Sequence, residues 1–141
     1  MSIKEYNKLT REEKLALVRF YPEEAKKDEH WRIRLEAYRA LGYTEKALND
    51  KDNIIRREAY GVLGFRVLGF TEKALKDEDC WIRLEAYMAL GYTEKALNDK
   101  DYDVRLRAYR TLGFTEQALK DENADIRQEA KIYLDFIKLN N

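Results

Sequence analysis

The sequence predicts an all-α fold, an array of short helical hairpins stacked side by side, and three observations predict it. First, a 22-residue pattern close to D-x-(D/N)-x-x-I-R-x-E-A-Y-x-x-L-G-(Y/F)-T-E-K-A-L-x is written five times, beginning at Asp28, Asp50, Asp77, Asp99 and Asp121. Repetition at a fixed period of this size marks a stacked array rather than a single closed globule. Second, the apolar residues of each copy recur at helical spacing. Ile33, Ala37, Ala40 and Leu41 in the first copy share one face of an α-helix. Third, each run stops at a glycine (Gly42, Gly64, Gly91, Gly113), placed where a left-handed residue ends a helix.

Residues 1–27 form the N-terminal cap. Within it, Leu15 to Asp28 is a degenerate copy in which Tyr21-Pro22-Glu23-Glu24-Ala25 matches Tyr43-Thr44-Glu45-Lys46-Ala47. Pro22 replaces the threonine, and proline is tolerated in the first turn of a helix. Repeats follow at 28–49, 50–76, 77–98 and 99–120. Each opens with a long helix whose core slots hold, for example, Ile82, Ala86, Ala89 and Leu90, or Val104, Ala108, Thr111 and Leu112. Asp52, Asp79, Asp101 and Asn123 stand where N-caps are needed. After the stop glycine comes an aromatic residue, then Thr44, Thr71, Thr93 or Thr115, each placed to cap a second helix. That helix has room for little more than one turn, α or 3₁₀. Isolated helices this short are marginal in water, so stacking must supply the core. The last copy, 121–141, is the C-terminal cap. There Asp135 replaces the stop glycine, and the helix is expected to run on through Ile137. One copy is irregular: residues 61–70 read Gly-Val-Leu-Gly-Phe-Arg-Val-Leu-Gly-Phe. Either the helix ends at Gly64 and the second Val-Leu-Gly-Phe bulges, or the helix lengthens and kinks.

Composition bounds the function. Lys plus Arg and Asp plus Glu are 27 each, so no global field draws in nucleic acid or an anionic membrane. The single cysteine, Cys80, excludes an internal disulfide framework and any multi-cysteine metal site. No apolar run approaches the roughly 20 residues of a membrane span, and the N-terminus lacks the apolar stretch of a secretory signal. A soluble, cytoplasmic, monomeric protein is expected.

The run from Asp28 onward resembles the HEAT-like repeats in their short form. It carries an Asp before a hydrophobic-Arg pair, then Ala, then Leu-Gly: Asp28, Ile33-Arg34, Ala37, Leu41-Gly42 in the first copy. The brief second helix is also similar to that of the leucine-rich repeat variant. The resemblance implies a right-handed α-superhelix, a single solenoid domain over residues 1–141, and a role as a scaffold for binding. An iron–sulfur cluster occurs in some variant-repeat proteins, but this chain lacks the cysteines and no cofactor is expected.

Candidate functional residues divide into recurring and variable ones. Arg34, Arg56, Arg83, Arg105 and Arg127 occupy one slot, six residues after Asp28, Asp50, Asp77, Asp99 and Asp121. A structural Arg–Asp ladder is preferred to a phosphate-binding one. Tyr38, Tyr60, Tyr87 and Tyr109 are read as packing between helices. Asp99-x-Asp101-x-Asp103 begins like a calcium loop, but that loop needs Gly at its sixth position and Glu at its twelfth, where Val104 and Arg110 stand. His30 and Cys80 lie in non-adjacent copies, and Ser2 is the only serine, so no catalytic residues and no metal ligands are assigned.

Function is expected where the copies differ. The outward slots hold Arg32, Leu35, Arg39; Ile54, Arg57, Gly61; Trp81, Leu84, Met88; Asp103, Leu106, Arg110; and Asp125, Gln128, Ile132. The sequence reading is a non-catalytic protein-interaction module that presents Leu35, Arg39, Arg57, Trp81, Leu84, Met88, Leu106 and Arg110 to a protein partner with apolar and acidic groups. The alternative is nucleic-acid binding, in which Arg32, Arg39, Arg57, Arg66 and Arg110 grip a phosphate backbone.

Overall fold

The computed structural model describes residues 2–65 and 69–140. Among them the chain is all helical: α1 (Ile3–Tyr6), α2 (Arg11–Leu17), α3 (Pro22–Ala25), α4 (Trp31–Leu41), a 3₁₀ turn (Glu45–Asn49), α5 (Asn53–Leu63), α6 (Phe70–Leu75), α7 (Cys80–Leu90), α8 (Thr93–Ala96), α9 (Tyr102–Leu112), a second 3₁₀ turn (Ala118–Lys120) and α10 (Ala124–Asn140). It divides into two compact units, Met1–Val67 and Leu68–Asn141.

Four of the long helices, α4, α5, α7 and α9, have 11 residues each. Their starts are set by local chemistry. The carboxylates of Asp52, Asp79 and Asp101 accept the N–H of Ile54, Trp81 and Asp103, and the Asn123 amide accepts those of Asp125 and Ile126. In the first copy His30 takes this role, its Nδ1 accepting the Arg32 N–H at 3.3 Å. Farther upstream a capping box starts α2. Thr10 Oγ1 accepts the Glu13 N–H at 3.2 Å, and Glu13 accepts the Thr10 N–H at 2.7 Å.

The helix stops are glycines, but not all of one kind. Gly91 has φ 69° and ψ 23°, a true left-handed residue, whereas Gly42 has φ 89° and ψ 148°. That second region is open to glycine almost alone. α10 has no such stop and continues to Asn140. In the irregular copy α5 ends at Leu63, with Gly64 at φ +91°, and α6 starts at Phe70 behind Gly69, also at +91°. The helix therefore ends at Gly64 and is not lengthened. Arg66, Val67 and Leu68 of the duplicated stretch lie outside the described residues.

The expected threonine caps are corrected. Thr44 is the N-cap of its turn but takes no side-chain hydrogen bond, and elsewhere the cap position is Gly69, Tyr92 or Gln117. In so short an element the backbone does the work. The carbonyls of Thr44 and Thr115 accept the N–H of Ala47 and Ala118, each at 2.9 Å.

Each short element packs on the long helix that follows it: α3 on α4, Glu45–Asn49 on α5, α6 on α7, α8 on α9, and Ala118–Lys120 on α10. Two alanine rows make this close approach possible. Ala37, Ala59, Ala86, Ala108 and Ala130 on the long helices are fully buried, as are Ala25, Ala47, Ala74, Ala96 and Ala118 on the short ones. The Ile/Val slot is buried in all copies (Ile33, Ile55, Ile82, Val104, Ile126), each side chain contributing about 1.5–3 kcal/mol of transfer free energy. The expected face weakens toward the final turn. Ala40, Leu41, Thr111 and Leu112 are exposed, whereas Ala89 and Leu90 are half-buried. Tyr38, Tyr60 and Tyr109 are buried instead. Each stacks on the aromatic residue beyond its own stop glycine: Tyr38 on Tyr43, Tyr60 on Phe65, and Tyr109 on Phe114, with ring centroids 6.0, 5.4 and 5.8 Å apart.

The copies are tied by a repeated ion pair. Arg83 Nε and Nη2 reach both carboxylate oxygens of Asp99 at 2.9 and 2.8 Å, while Nη1 donates to the carbonyls of Asp77 and Glu78, both at 2.9 Å. Arg34 treats Asp50 the same way at 2.9 and 2.7 Å, and Arg105 treats Asp121 the same way, at 2.9 Å for both bonds. Each carboxylate also accepts the N–H two residues on, from Asp52, Asp101 or Asn123. The bidentate fork needs a guanidinium, because lysine offers one point charge. In the N-terminal cap Lys14 does stand in, reaching Asp28 at 2.8 Å. Burial alone would raise the pKa of Asp99. The hydrogen bonds from Arg83 and from the Asp101 N–H, with the Arg83 charge, outweigh it and hold the carboxyl below its ordinary 3.8.

Breaking the ladder, titrating its aspartates and straining its glycines each have a measurable cost. The Arg83–Asp99 side chains are 5% and 3% exposed, so Asp99→Ala leaves a buried unpaired cation and costs about 3–5 kcal/mol in denaturant unfolding. The apolar double replacement Arg83→Met with Asp99→Leu costs less than that single change. Asp28, Asp50, Asp99 and Asp121 all have lowered pKa values. Their contribution is fully present above the ordinary aspartate value and is lost as pH falls through their lowered folded-state values. An acid titration of stability shows this loss, with a shallower slope in an Asp99 variant that still folds. Separately, Gly42→Ala costs about 1–3 kcal/mol from backbone strain alone, since an added Cβ there meets nothing within 4 Å. Gly91→Asn costs less, because asparagine tolerates the left-handed region.

Candidate interaction surface

The recurring charged residues are occupied by structure. Arg34, Arg83 and Arg105 are buried with Nε, Nη1 and Nη2 all engaged. Arg56 Nη1 holds the carbonyls of Asp50 and Lys51, and Arg127 Nη1 those of Asp121 and Glu122. In the calcium-like stretch, Asp99 serves Arg83 and Asp101 caps α9, so the recurring carboxylates belong to the ladder and the helix starts. His30 caps α4. Cys80 is half-buried, and burial, with the charges of Asp101 and Asp79, pushes its thiol up, away from the reactive thiolate.

The variable slots behave unevenly. Leu35, Leu84 and Leu106 were expected to face outward, and they do not: they are 4, 7 and 8% exposed. Leu84 packs with Ala96, Val104 and Ala108, and Leu106 with Tyr109, Ile126 and Ala130. A helix inside a row has a neighbour on its flank as well as beneath it. This leucine slot therefore points sideways, at the next long helix. Trp81 and Met88 on α7 remain open to solvent, 49 and 44% exposed, and seven residues apart they share one side of the helix.

The variable arginines are exposed but not idle. In the first unit Arg39 is held by Glu36 at 2.8 Å and by Glu58 at 2.5 and 3.2 Å, and Glu58 also accepts the Tyr43 hydroxyl. These contacts raise Arg39 above its ordinary pKa, the Glu58 hydrogen bond first among them. Arg57 is exposed on the same helix as Glu58. In the second unit Arg110 forms a fork with Glu129 at 3.0 and 2.5 Å. Their positive charge is therefore largely answered within the protein, which the expected acidic partner needed it not to be.

One set of variable residues does come together. Between α9 and α10 lies an open groove of about 460 Å³ lined by Asp103, Leu106, Arg110, Asp125, Gln128 and Ile132, with Tyr102 and Glu129 beside them. These six are the outward slots of the last two copies, brought side by side. Ile132, Tyr133 and Phe136 continue the surface along α10. The periodicity of α10 could have revealed this second stretch, since Ile132, Phe136 and Leu139 recur at helical spacing and are exposed.

Among the described residues no helix is long and apolar enough to cross a membrane, and no cluster of three or more His, Cys, Asp or Glu could hold a metal ion. A comparison with protein-family models, curated proteins and solved structures gives no match for this chain. Leu106→Ala is expected to cost about 2–5 kcal/mol, as a core deletion. Arg110→Ala, which breaks an exposed pair, should leave the unfolding midpoint close to that of the wild type. Comparing the two by denaturant titration separates scaffold from surface.

Proposed function

We propose that the chain is a HEAT-like repeat protein, a right-handed superhelix of short hairpins, acting as a non-catalytic protein-interaction module. What supports the repeat reading is the recurrence of one unit: an 11-residue helix, a stop glycine, a short helix packed on the next long one, and an Arg–Asp bond reaching 16 residues ahead. What supports the binding reading is one observation above the others. The residues that vary between copies 99–120 and 121–141 are gathered into a single groove, while the recurring alanines and Ile/Val residues are consumed by the core and Arg83 and Arg105 by the ladder.

The surface assigned here is narrower than the sequence suggested. It consists of Trp81 and Met88 on α7 with the α9/α10 groove; Leu35 and Leu84 drop out, and the buried Leu106 stays only as part of the groove's floor. Exposed tryptophan, methionine and tyrosine are residue types that protein interfaces favour. The nucleic-acid alternative has less behind it, because Arg39 and Arg110 are held by carboxylates and Arg66 lies outside the described residues.

The test compares what wild-type protein and surface variants retain from a host lysate. Trp81→Ala and Met88→Ala should each weaken retention of a captured protein by about fivefold or more, the equivalent of 1 kcal/mol, with thermal unfolding unchanged. Equal retention by folded variants removes α7 from the surface. Retention that collapses with rising salt, and that is competed by nucleic acid, supports the alternative.

A further inference from the structure

The groove of the second unit has a polarity that its lining residues define. At one end stand Asp103 in the first turn of α9 and Asp125 in the first turn of α10, both exposed, with Tyr102 beside them. At the middle Arg110 is neutralised by its fork with Glu129. Neither Asp103 nor Asp125 forms an ion pair among the described residues, so the uncompensated charge of the groove is negative and confined to that end. The floor is apolar, formed by Leu106 and Ile132. Toward the other end Ile132 and Glu129 also line a second, apolar stretch of about 350 Å³ with Phe114, Tyr133 and Phe136. Ile132 and Phe136 are 63 and 64% exposed, well beyond what a satisfied core face shows. The two stretches share Glu129 and Ile132 and so adjoin along α10, as one channel open to solvent.

The Tyr102 phenol reports the same field. The charge of Asp103 first, then some desolvation, then the charge of Asp125 hold it above its ordinary pKa. Asp103 and Asp125 stand on different helices and line the same groove.

We propose that this channel binds a cationic, amphipathic peptide segment of a partner protein, a lysine or arginine seated between Asp103 and Asp125 and a bulky apolar side chain seated against Ile132 and Phe136. The proposal rests on the protein-interaction reading above and gives it a ligand class. It reverses the charge expected from the sequence, where arginines pointed to an acidic partner. The spacing is set by the helix. From Asp125 to Phe136 the axis rises about 16 Å at 1.5 Å per residue, which an extended segment spans in about five residues. Charge complementarity fixes the cationic end, and the apolar end supplies burial. Asp103 and Asp125 contribute to the helix starts only through the exposed ends of the helix dipoles, and neither is buried. Their removal therefore leaves the fold in place.

The probe is a fluorescein-labelled peptide with two lysines at one end, two leucines at the other and Ser-Gly-Ser between. Its counterpart carries two glutamates in place of the lysines. Both are titrated by fluorescence anisotropy against the full chain in 50 mM NaCl. The lysine peptide should bind at least tenfold more tightly than the glutamate peptide. The double variant Asp103→Asn, Asp125→Asn should reduce that preference to less than twofold. Phe136→Ala should weaken the lysine peptide severalfold, and Trp81→Ala should leave it unchanged. The proposal is overturned by equal binding of the two peptides, by a preference that survives in the double variant, or by no binding of either peptide. In each of those cases the lysate comparison with Trp81 and Met88 variants still decides the broader interaction reading on its own, because those residues lie outside the channel.

Discussion

One contact organises this protein: a buried arginine whose two faces serve two successive copies of the repeat. Through Nη1 the guanidinium ties down the carbonyls at the start of its own copy, and through Nε and Nη2 it grips the aspartate that opens the next. That aspartate in turn bonds the N–H two residues on, at the approach to the next helix. A single side chain thus fixes where a helix begins, where its successor begins and how far apart they stand. A buried pair of this kind adds little net stability compared with apolar packing, but it is costly to break on one side only. Its contribution here is register. On α4, α7 and α9 the fork holds the long helix at one position relative to the aspartate that ends the following short element.

With register fixed, the chemistry of the outer surface is free to vary. Many of the recurring residues are spent internally: aspartates on capping and pairing, Tyr38, Tyr60 and Tyr109 on stacking against the aromatic beyond the glycine, isoleucines on the core. What is left over is a small set of positions that carry tryptophan, methionine, arginine, aspartate or isoleucine according to the copy. The ion pairs that Arg39 and Arg110 make with glutamates on the next helix show that even this outer layer is partly committed to joining copies. On α7, Trp81 and Met88 remain open to solvent, and Asp103 and Asp125 line the groove between α9 and α10.

The boundaries of the unit were legible because they rest on residues with narrow uses. A glycine after a run of helical apolar spacing, and an aspartate before the next, admit few other readings. The capping box of Thr10 and Glu13 was just as readable from its spacing and was missed among the more regular copies. The threonine caps failed for a different reason. A helix of one turn satisfies its own donors through backbone carbonyls, and the hydroxyl is not needed. The candidate surface was legible only in part, because a helical wheel distinguishes inside from outside but not the flank. Leu35, Leu84 and Leu106 lie on that flank, and whether a flank is surface depends on whether another helix lies alongside.

By itself, the sequence determined the helical class, the length and limits of each copy, the aspartate that opens it and the glycine that closes most long helices. All of these are local, set by backbone preferences and hydrogen bonds within a few residues. Only the tertiary structure decided which side chains meet across copies. It paired Arg83 with an aspartate 16 residues ahead, buried the three leucines, neutralised Arg110 with Glu129, and left Asp103 and Asp125 facing one channel. Those outcomes depend on distances between separate helices, which packing sets and which no periodicity within one helix encodes.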